Sequence, residues 1–164
     1  MKENKIIFTG PVGVGKTTAI AALSDDPPVK TDARASDMTL VRKGHTTVAM
    51  DYGVIRLDGD TKVHLYGTPG QERFNFMWEI LSKGSMGLIL LLDNTRANPL
   101  KDLTFFLDAF KDLLKTAPLV VGVTKMDVRS LPGIDVYQKY LAPKLASFNL
   151  QFFLEKSLNI QICN

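Results

Sequence analysis

The chain carries one cysteine, Cys163, in 164 residues, so no internal disulfide can form and a reducing, cytoplasmic setting is expected. It has no long apolar run. The longest, residues 86–92, is far shorter than the ~20 residues that cross a bilayer and reads as a buried strand. Met1-Lys2-Glu3-Asn4-Lys5 leads straight into an apolar segment and leaves no room for a secretory leader. Cys163 is the penultimate residue rather than the fourth from the end, and residue 2 is Lys, so neither a prenylation box nor a myristoylation site is present. No membrane anchor is expected. Twenty Lys and Arg against 17 Asp and Glu leave a net charge of only +3, without a basic run, which gives no electrostatic case for nucleic-acid binding. Repeats, low-complexity tracts and linkers are lacking too. With 45% hydrophobic residues, the expectation is a single domain over residues 1–164 with one sizeable core.

What stands out is Gly10-Pro11-Val12-Gly13-Val14-Gly15-Lys16-Thr17, which fits G-x-x-x-x-G-K-[ST], the phosphate-binding loop of nucleoside triphosphatases. Glycines let the backbone curl until successive N–H groups converge on phosphate oxygens, here the backbone from Gly10 through Val12, Gly13, Val14 and Gly15 to Thr18. Lys16 supplies a point charge for the β- and γ-phosphates, and the Thr17 hydroxyl is a ligand for Mg²⁺. The context agrees. Lys5-Ile6-Ile7-Phe8-Thr9 reads as a strand entering the loop, and Thr17-Thr18-Ala19-Ile20-Ala21-Ala22-Leu23 opens a helix whose dipole adds to the anion site. The dinucleotide fingerprint fails, because Thr18 stands where Gly or Ala is required.

Beyond this helix, Ser24-Asp25-Asp26-Pro27-Pro28 breaks the chain, and no period appears as far as His45, so a long functional connection is expected. Residues 46–57 and 61–66 read as two strands around Asp58-Gly59-Asp60, a hairpin. Gly67-Thr68-Pro69-Gly70 is a turn, and residues 71–83 form a short helix stopped by Gly84. Residues 86–92 are the central strand. Asn98-Pro99 caps a helix whose apolar face, Leu100, Leu103, Phe106, Leu107, Phe110, Leu113 and Leu114, runs on to Pro118. A second buried strand at 119–123 opens into Thr124-Lys125-Met126-Asp127, a weaker helix at 134–141 stops before Pro143, and residues 150–154 make a last strand. Uniformly apolar strands alternating with helices argue an α/β fold with a mostly parallel sheet covered on both faces. Ligands in such sheets sit at the carboxyl ends of the strands, which gathers residues 10–17, Thr46 and Thr47, 67–71 and 124–127 onto one edge.

On those motifs in that order the chain resembles the Ras-like small GTPases, and Thr46-Thr47-Val48-Ala49-Met50-Asp51-Tyr52 with Gly67-Thr68-Pro69-Gly70-Gln71 looks most like the bacterial gliding-motility, MglA-like members. The resemblance implies a three-layer P-loop fold with a six-stranded, mostly parallel sheet and one antiparallel hairpin strand. It implies GTP and GDP as ligands, Mg²⁺ as cofactor and slow GTP hydrolysis that works as a switch. Asp127 would accept the guanine N–H groups, the stem of Lys125 would pack along the base, and Thr124 would stand where the family has Asn. Thr47, or else Thr46, would ligate Mg²⁺ and sense the γ-phosphate. Gly70 would donate its N–H to that phosphate, and catalysis would rest on Gln71, which orients the attacking water, and on Lys16, which neutralises transition-state charge. Ser157 and Leu158 would support the base. Arg42 or Arg73 could act as a finger in cis. Implied partners are a Roadblock-type activator and an unidentified effector, in a polarity, motility or signalling system.

Two departures from the family stand out. Gly67 occupies the place of the aspartate that holds Mg²⁺ through water; Asp51 on the neighbouring strand is a replacement, or else a solvent-facing edge charge. The final helix is missing after Asn159, so either a partner or a second copy covers the exposed flank or the reading frame is truncated, the latter being the expectation. A GTP-binding scaffold with weak catalysis and an ATP-using P-loop protein are the alternatives.

Overall fold

The computed structural model describes residues 4–27, 29–34, 47–58 and 60–145, with backbone alone for 29–34, 47–49, 73 and 145. The chain runs β1 (Asn4–Thr9), α1 (Lys16–Leu23), β2 (Val29–Arg34), β3 (Thr47–Arg56), β4 (Lys62–Gly67), α2 (Asn75–Ser82), β5 (Gly87–Asp93), α3 (Pro99–Ala109), β6 (Leu119–Thr124) and α4 (Ile134–Leu145). Short 3₁₀ turns at Glu72–Phe74 and Leu113–Lys115 precede α2 and follow α3. The sheet order is β2-β3-β4-β1-β5-β6. β1 pairs in parallel with β4 and β5, and β5 with β6, while β3 runs against both β2 and β4. One strand is therefore reversed, as the resemblance implies.

Side-chain alternation divides the apolar strands between two layers of helix. Ile7, Leu88, Leu90 and Leu92 point toward α2, α3 and α4, meeting Trp78, Leu81, Leu103, Phe106, Leu107, Tyr137 and Leu141. Phe8, Val63, Leu65 and Leu91 point the other way, against Ala19 and Ile20 of α1. A strand buried on both faces has no polar side to show, which is why β5 reads as an unbroken apolar run.

Three elements differ from the sequence reading. Residues 29–34 form β2, a strand inside the stretch read as a connection; paired only to β3, at the sheet edge, it lacks the alternating apolar pattern that marks a half-buried strand. The α3 pattern is not one helix: Phe110 leaves helical geometry at φ −105°, ψ 15°, and the 3₁₀ turn that follows keeps Leu114 fully buried. Pro143 does not end α4, which continues to Leu145; the proline removes one N–H from the last turn but leaves its successors free to follow. The expected strand at 150–154 and the expectation about a final helix both concern residues outside those described. No helix among the described residues is long and apolar enough to cross a membrane.

The start of α3 combines two local signals. Asn98 accepts a hydrogen bond from the Lys101 N–H at 3.0 Å, and Pro99 occupies the first turn, where no N–H is needed. Asn98→Ala is expected to lower stability by about 1 kcal/mol, seen as a smaller urea midpoint at unchanged slope, whereas Asn98→Gly costs only a few tenths of that.

Candidate phosphate-binding site

β1 ends at the centre of the sheet and the chain turns over its carboxyl edge into α1. Gly10 takes φ +143°, and a Cβ there would lie 2.2 Å from the Leu91 carbonyl oxygen of β5. Gly15, at φ +109°, places Lys16 as the first residue of α1. The Lys16 Nζ folds back over the loop and donates to the carbonyls of Gly10 at 2.7 Å and Pro11 at 2.8 Å. Burial pushes its pKa from 10.5 down to about 8, while the negative charge of Asp51 pulls the other way.

The turn after β4 lies directly on this loop. Thr68 is buried, its N–H donating to Phe8 O at 2.8 Å and its hydroxyl to the Thr9 hydroxyl at 2.9 Å. Gly70 packs so closely that a Cβ would fall 2.7 Å from Val12 N and 3.0 Å from Lys16 Nζ. Gln71 follows, exposed. Thr17 donates from its hydroxyl to the Asp51 carboxylate at 2.7 Å. Asp51 is paired across the ladder with Gly67, and a Cβ on Gly67 would stand 3.0 Å from the Asp51 Cβ and 3.1 Å from its Oδ2. The carboxylate thus occupies the space that a side chain at Gly67 would need.

A third segment joins from β6. The Thr124 hydroxyl reaches Val14 O at 3.0 Å and Leu92 O at 3.2 Å, sharing its single proton between them. Lys125, at φ +58°, pairs its Nζ with the buried Asp93 at 2.6 Å; Asp93 also accepts from the backbone and hydroxyl of Thr95. Desolvation of that carboxyl, which would raise its pKa, is outweighed by these hydrogen bonds, which hold it below its ordinary value. The next residue, Asn94, is fully buried, accepts from the Tyr137 hydroxyl at 2.6 Å and donates to Arg129 O at 2.5 Å, bracing the loop that contains Asp127. Asp127 itself is exposed.

Residues 8–161 match the family described as conserved hypothetical ATP binding protein. The chain belongs to that family. Every contact just described lies inside the matched span. It is 31% identical over 137 residues to the uncharacterized protein MJ1339 of Methanocaldococcus jannaschii, covering 82% of this chain and 78% of that protein. Similarity extends to the GTP-binding protein YPT1 of Saccharomyces cerevisiae, 29% identical over 93% of this chain and 69% of the relative. The Ras-related protein Rab-8A of Gallus gallus is 33% identical over 56% of this chain, a match that spans only 40% of that protein. The G domain of the Thermotoga maritima (T. maritima) FeoB iron transporter superposes with a TM-score of 0.61, covering 85% of this chain and 83% of that one at 21% identity, which establishes the fold of a P-loop G domain.

The structure therefore brings Gly10, Val12, Lys16 and Gly70 together, ties Thr17 to Asp51 and links Thr124 to Val14. Thr47 opens β3 opposite Arg34, its side chain not described. Thr46, Arg42, Ser157 and Leu158 lie outside the described residues, as does the side chain of Arg73. Sequence reasoning missed Asp93, Asn94, Thr9 and Thr68. A polar pair closing a buried strand, Asp93-Asn94, was the available signal for the first two.

The buried Lys16 has a consequence for stability. Its folded pKa of about 8 lies below the unfolded 10.5, so between those values the unfolded chain binds more protons. The nucleotide-free protein is expected to become more stable as pH rises from about 8 toward 10.5. Urea unfolding across that range should show the gain in the natural chain and lose it in Lys16→Met.

Proposed function

We propose that the chain is a Mg²⁺-dependent GTPase of the Ras-like type, cycling between triphosphate- and diphosphate-bound forms. The observation that carries this reading is the seat of Gly70: its backbone lies against Val12 and Lys16, where a γ-phosphate on the loop would meet it. A residue that reads the third phosphate is what separates a switch from a passive nucleotide holder.

In this reading the N–H groups of Gly10 and of residues 12–18 and the Lys16 ammonium bind the phosphates, and Gly70 donates to the γ-phosphoryl oxygen. Gln71 orients a water that attacks the γ-phosphorus; the bond to the β-phosphate oxygen breaks, giving GDP and inorganic phosphate. Thr17 and Asp51 are suited to Mg²⁺, since both offer hard oxygen atoms 2.7 Å apart at the mouth of the loop, and this ion keeps several waters and shares phosphate oxygens. When bound, it neutralises charge on the β- and γ-phosphates. Asp51 takes the part of the aspartate that Gly67 replaces, and Thr47 is a further ligand of the set. Thr124 ties the base loop to Val14, leaving Asp127 exposed to accept from guanine N1–H and N2–H. The MglA-like likeness extends this to a bacterial polarity, motility or signalling switch with a Roadblock-type activator and its own effector.

A second reading, adenine triphosphate as the ligand, has the family's description as ATP binding in its favour. Thermal melting with GTP, GDP and ATP, each with and without Mg²⁺, separates the two. The expected outcome is stabilisation by guanine nucleotides with phosphate released slowly, over hours; stabilisation by ATP alone would replace the assignment. Asp51→Ala should remove most of the Mg²⁺ dependence of GTP affinity, and adding Gly67→Asp in that background should restore it. An unchanged Mg²⁺ dependence in Asp51→Ala would exclude Asp51 from the metal site.

A further inference from the structure

Trp78 is the sole tryptophan in the chain, and at 3% exposure it lies buried between α2 and α3. Its ring stacks on Phe110 at 5.6 Å and 20°, tilts over Phe106 at 5.3 Å and meets Phe105 edge-on at 5.9 Å. Packing alone would account for such a residue were it not for its polar atom. The indole N–H donates at 2.8 Å to the carbonyl of Pro69, outside the aromatic cluster and in the turn that lies on the phosphate loop.

That carbonyl belongs to the same peptide unit as the N–H of Gly70. A peptide unit is planar, and in the trans form its C=O and N–H point in opposite directions. The Pro69–Gly70 bond is not among the cis bonds of the described chain. Holding the carbonyl toward Trp78 therefore turns the Gly70 N–H in the opposite direction within the peptide plane, away from the indole, while a Cβ on Gly70 would fall against Val12 and Lys16. A carbonyl that accepts a hydrogen bond also polarises its own amide, making the N–H a better donor. The other anchor of the turn, Thr68 on Phe8 and Thr9, fixes its position but not the rotation of the next peptide plane.

We infer that Trp78 is a positioning residue for γ-phosphate recognition: its indole N–H sets the orientation of the Pro69–Gly70 peptide, and the aromatic stack of α3 holds the indole. This rests on the reading of Gly70 given above. The arrangement acts on the third phosphate only, because the first two are held by the loop and Lys16, which Trp78 does not touch.

The test compares Trp78→Phe, which keeps an aromatic ring and loses the N–H, with the natural chain. Affinities for GTPγS and GDP, and in parallel for ATPγS and ADP, are measured by competition against a fluorescent nucleotide. The triphosphate analogue is expected to lose about 3- to 10-fold in affinity, the loss of one hydrogen bond, while the diphosphate stays within about two-fold. Phe110→Leu, which removes one of the three ring contacts, leaves Phe105 and Phe106 against the indole and keeps the N–H, should retain the natural ratio of the two affinities. Equal losses for both nucleotides, or none, would overturn the inference. If the adenine pair binds in place of the guanine pair, the base assignment fails while the ratio still decides the role of Trp78; a chain that holds neither overturns both. Should Trp78→Phe fail to fold, the natural protein decides: its tryptophan emission should change more with the triphosphate analogue than with the diphosphate, and an equal response would refute the role.

Discussion

A lysine ammonium buried under its own loop, held by the carbonyls of Gly10 and Pro11, is the constraint from which much of the structure follows. Taking a cation out of water is costly, and two backbone oxygens with one nearby carboxylate offset the cost only in part, which is why the Lys16 pKa stays low. The site can hold that charge only if backbone approaches from several sides without side chains in the way. Gly10 meets Leu91 of β5, and Gly70 meets Val12 and Lys16; at each position a Cβ would fall within 3 Å of its neighbours. β1 must also lie between β4 and β5, because both the Thr68 turn and the Leu91 carbonyl have to reach it. An anion supplies what the carbonyls cannot, a full opposite charge.

The pairing of Asp51 with Gly67 sets a carboxylate beside the place where a side chain at Gly67 would stand. Directly paired residues on antiparallel strands project from the same face. A carboxylate on either strand therefore reaches the same region above α1, and the 3.0 Å approach of a Gly67 Cβ to the Asp51 side chain leaves room for one of them. Thr17, at the start of α1, meets the one that is present. Register, rather than position in a motif, fixes where the charge sits.

The sequence made the phosphate loop legible because its chemistry is local: glycines, lysine and threonine act within eight consecutive residues. β1, β5 and β6 were legible for the same kind of reason, since burial on both faces writes itself as an apolar run. The closeness of Asp51 to the Gly67 position was reachable because a hairpin fixes register between near neighbours. What the sequence could not give was contact across the sheet. Nothing near Asp93 indicates that Lys125 will lie against it 32 residues later, and nothing near Trp78 indicates that its N–H will point back to Pro69. β2 was hidden because an edge strand has little apolar pattern to show. The α3 break at Phe110 was hidden because a 3₁₀ turn keeps Leu114 on the same apolar face as an unbroken helix would.

The same distinction explains how the two halves of the site are held at a set separation. The phosphate loop hangs from β1 and the Thr124 segment from β6, with β5 between them. Neighbouring strands lie ~4.8 Å apart, so two spacings set the segments roughly 10 Å from each other before any side chain is considered. Thr124 then reaches back toward Val14, Asp93 at the end of β5 holds Lys125, and Asn94 beside it holds the carbonyl of Arg129. The intermediate strand thus ends in two polar residues that both face the far loop, although β5 is otherwise apolar. Its last residues serve the spacing of the site and the rest of it serves the core, so a change within the apolar run should act on stability while a change at Asp93 or Asn94 should act on how firmly the outer loop is held.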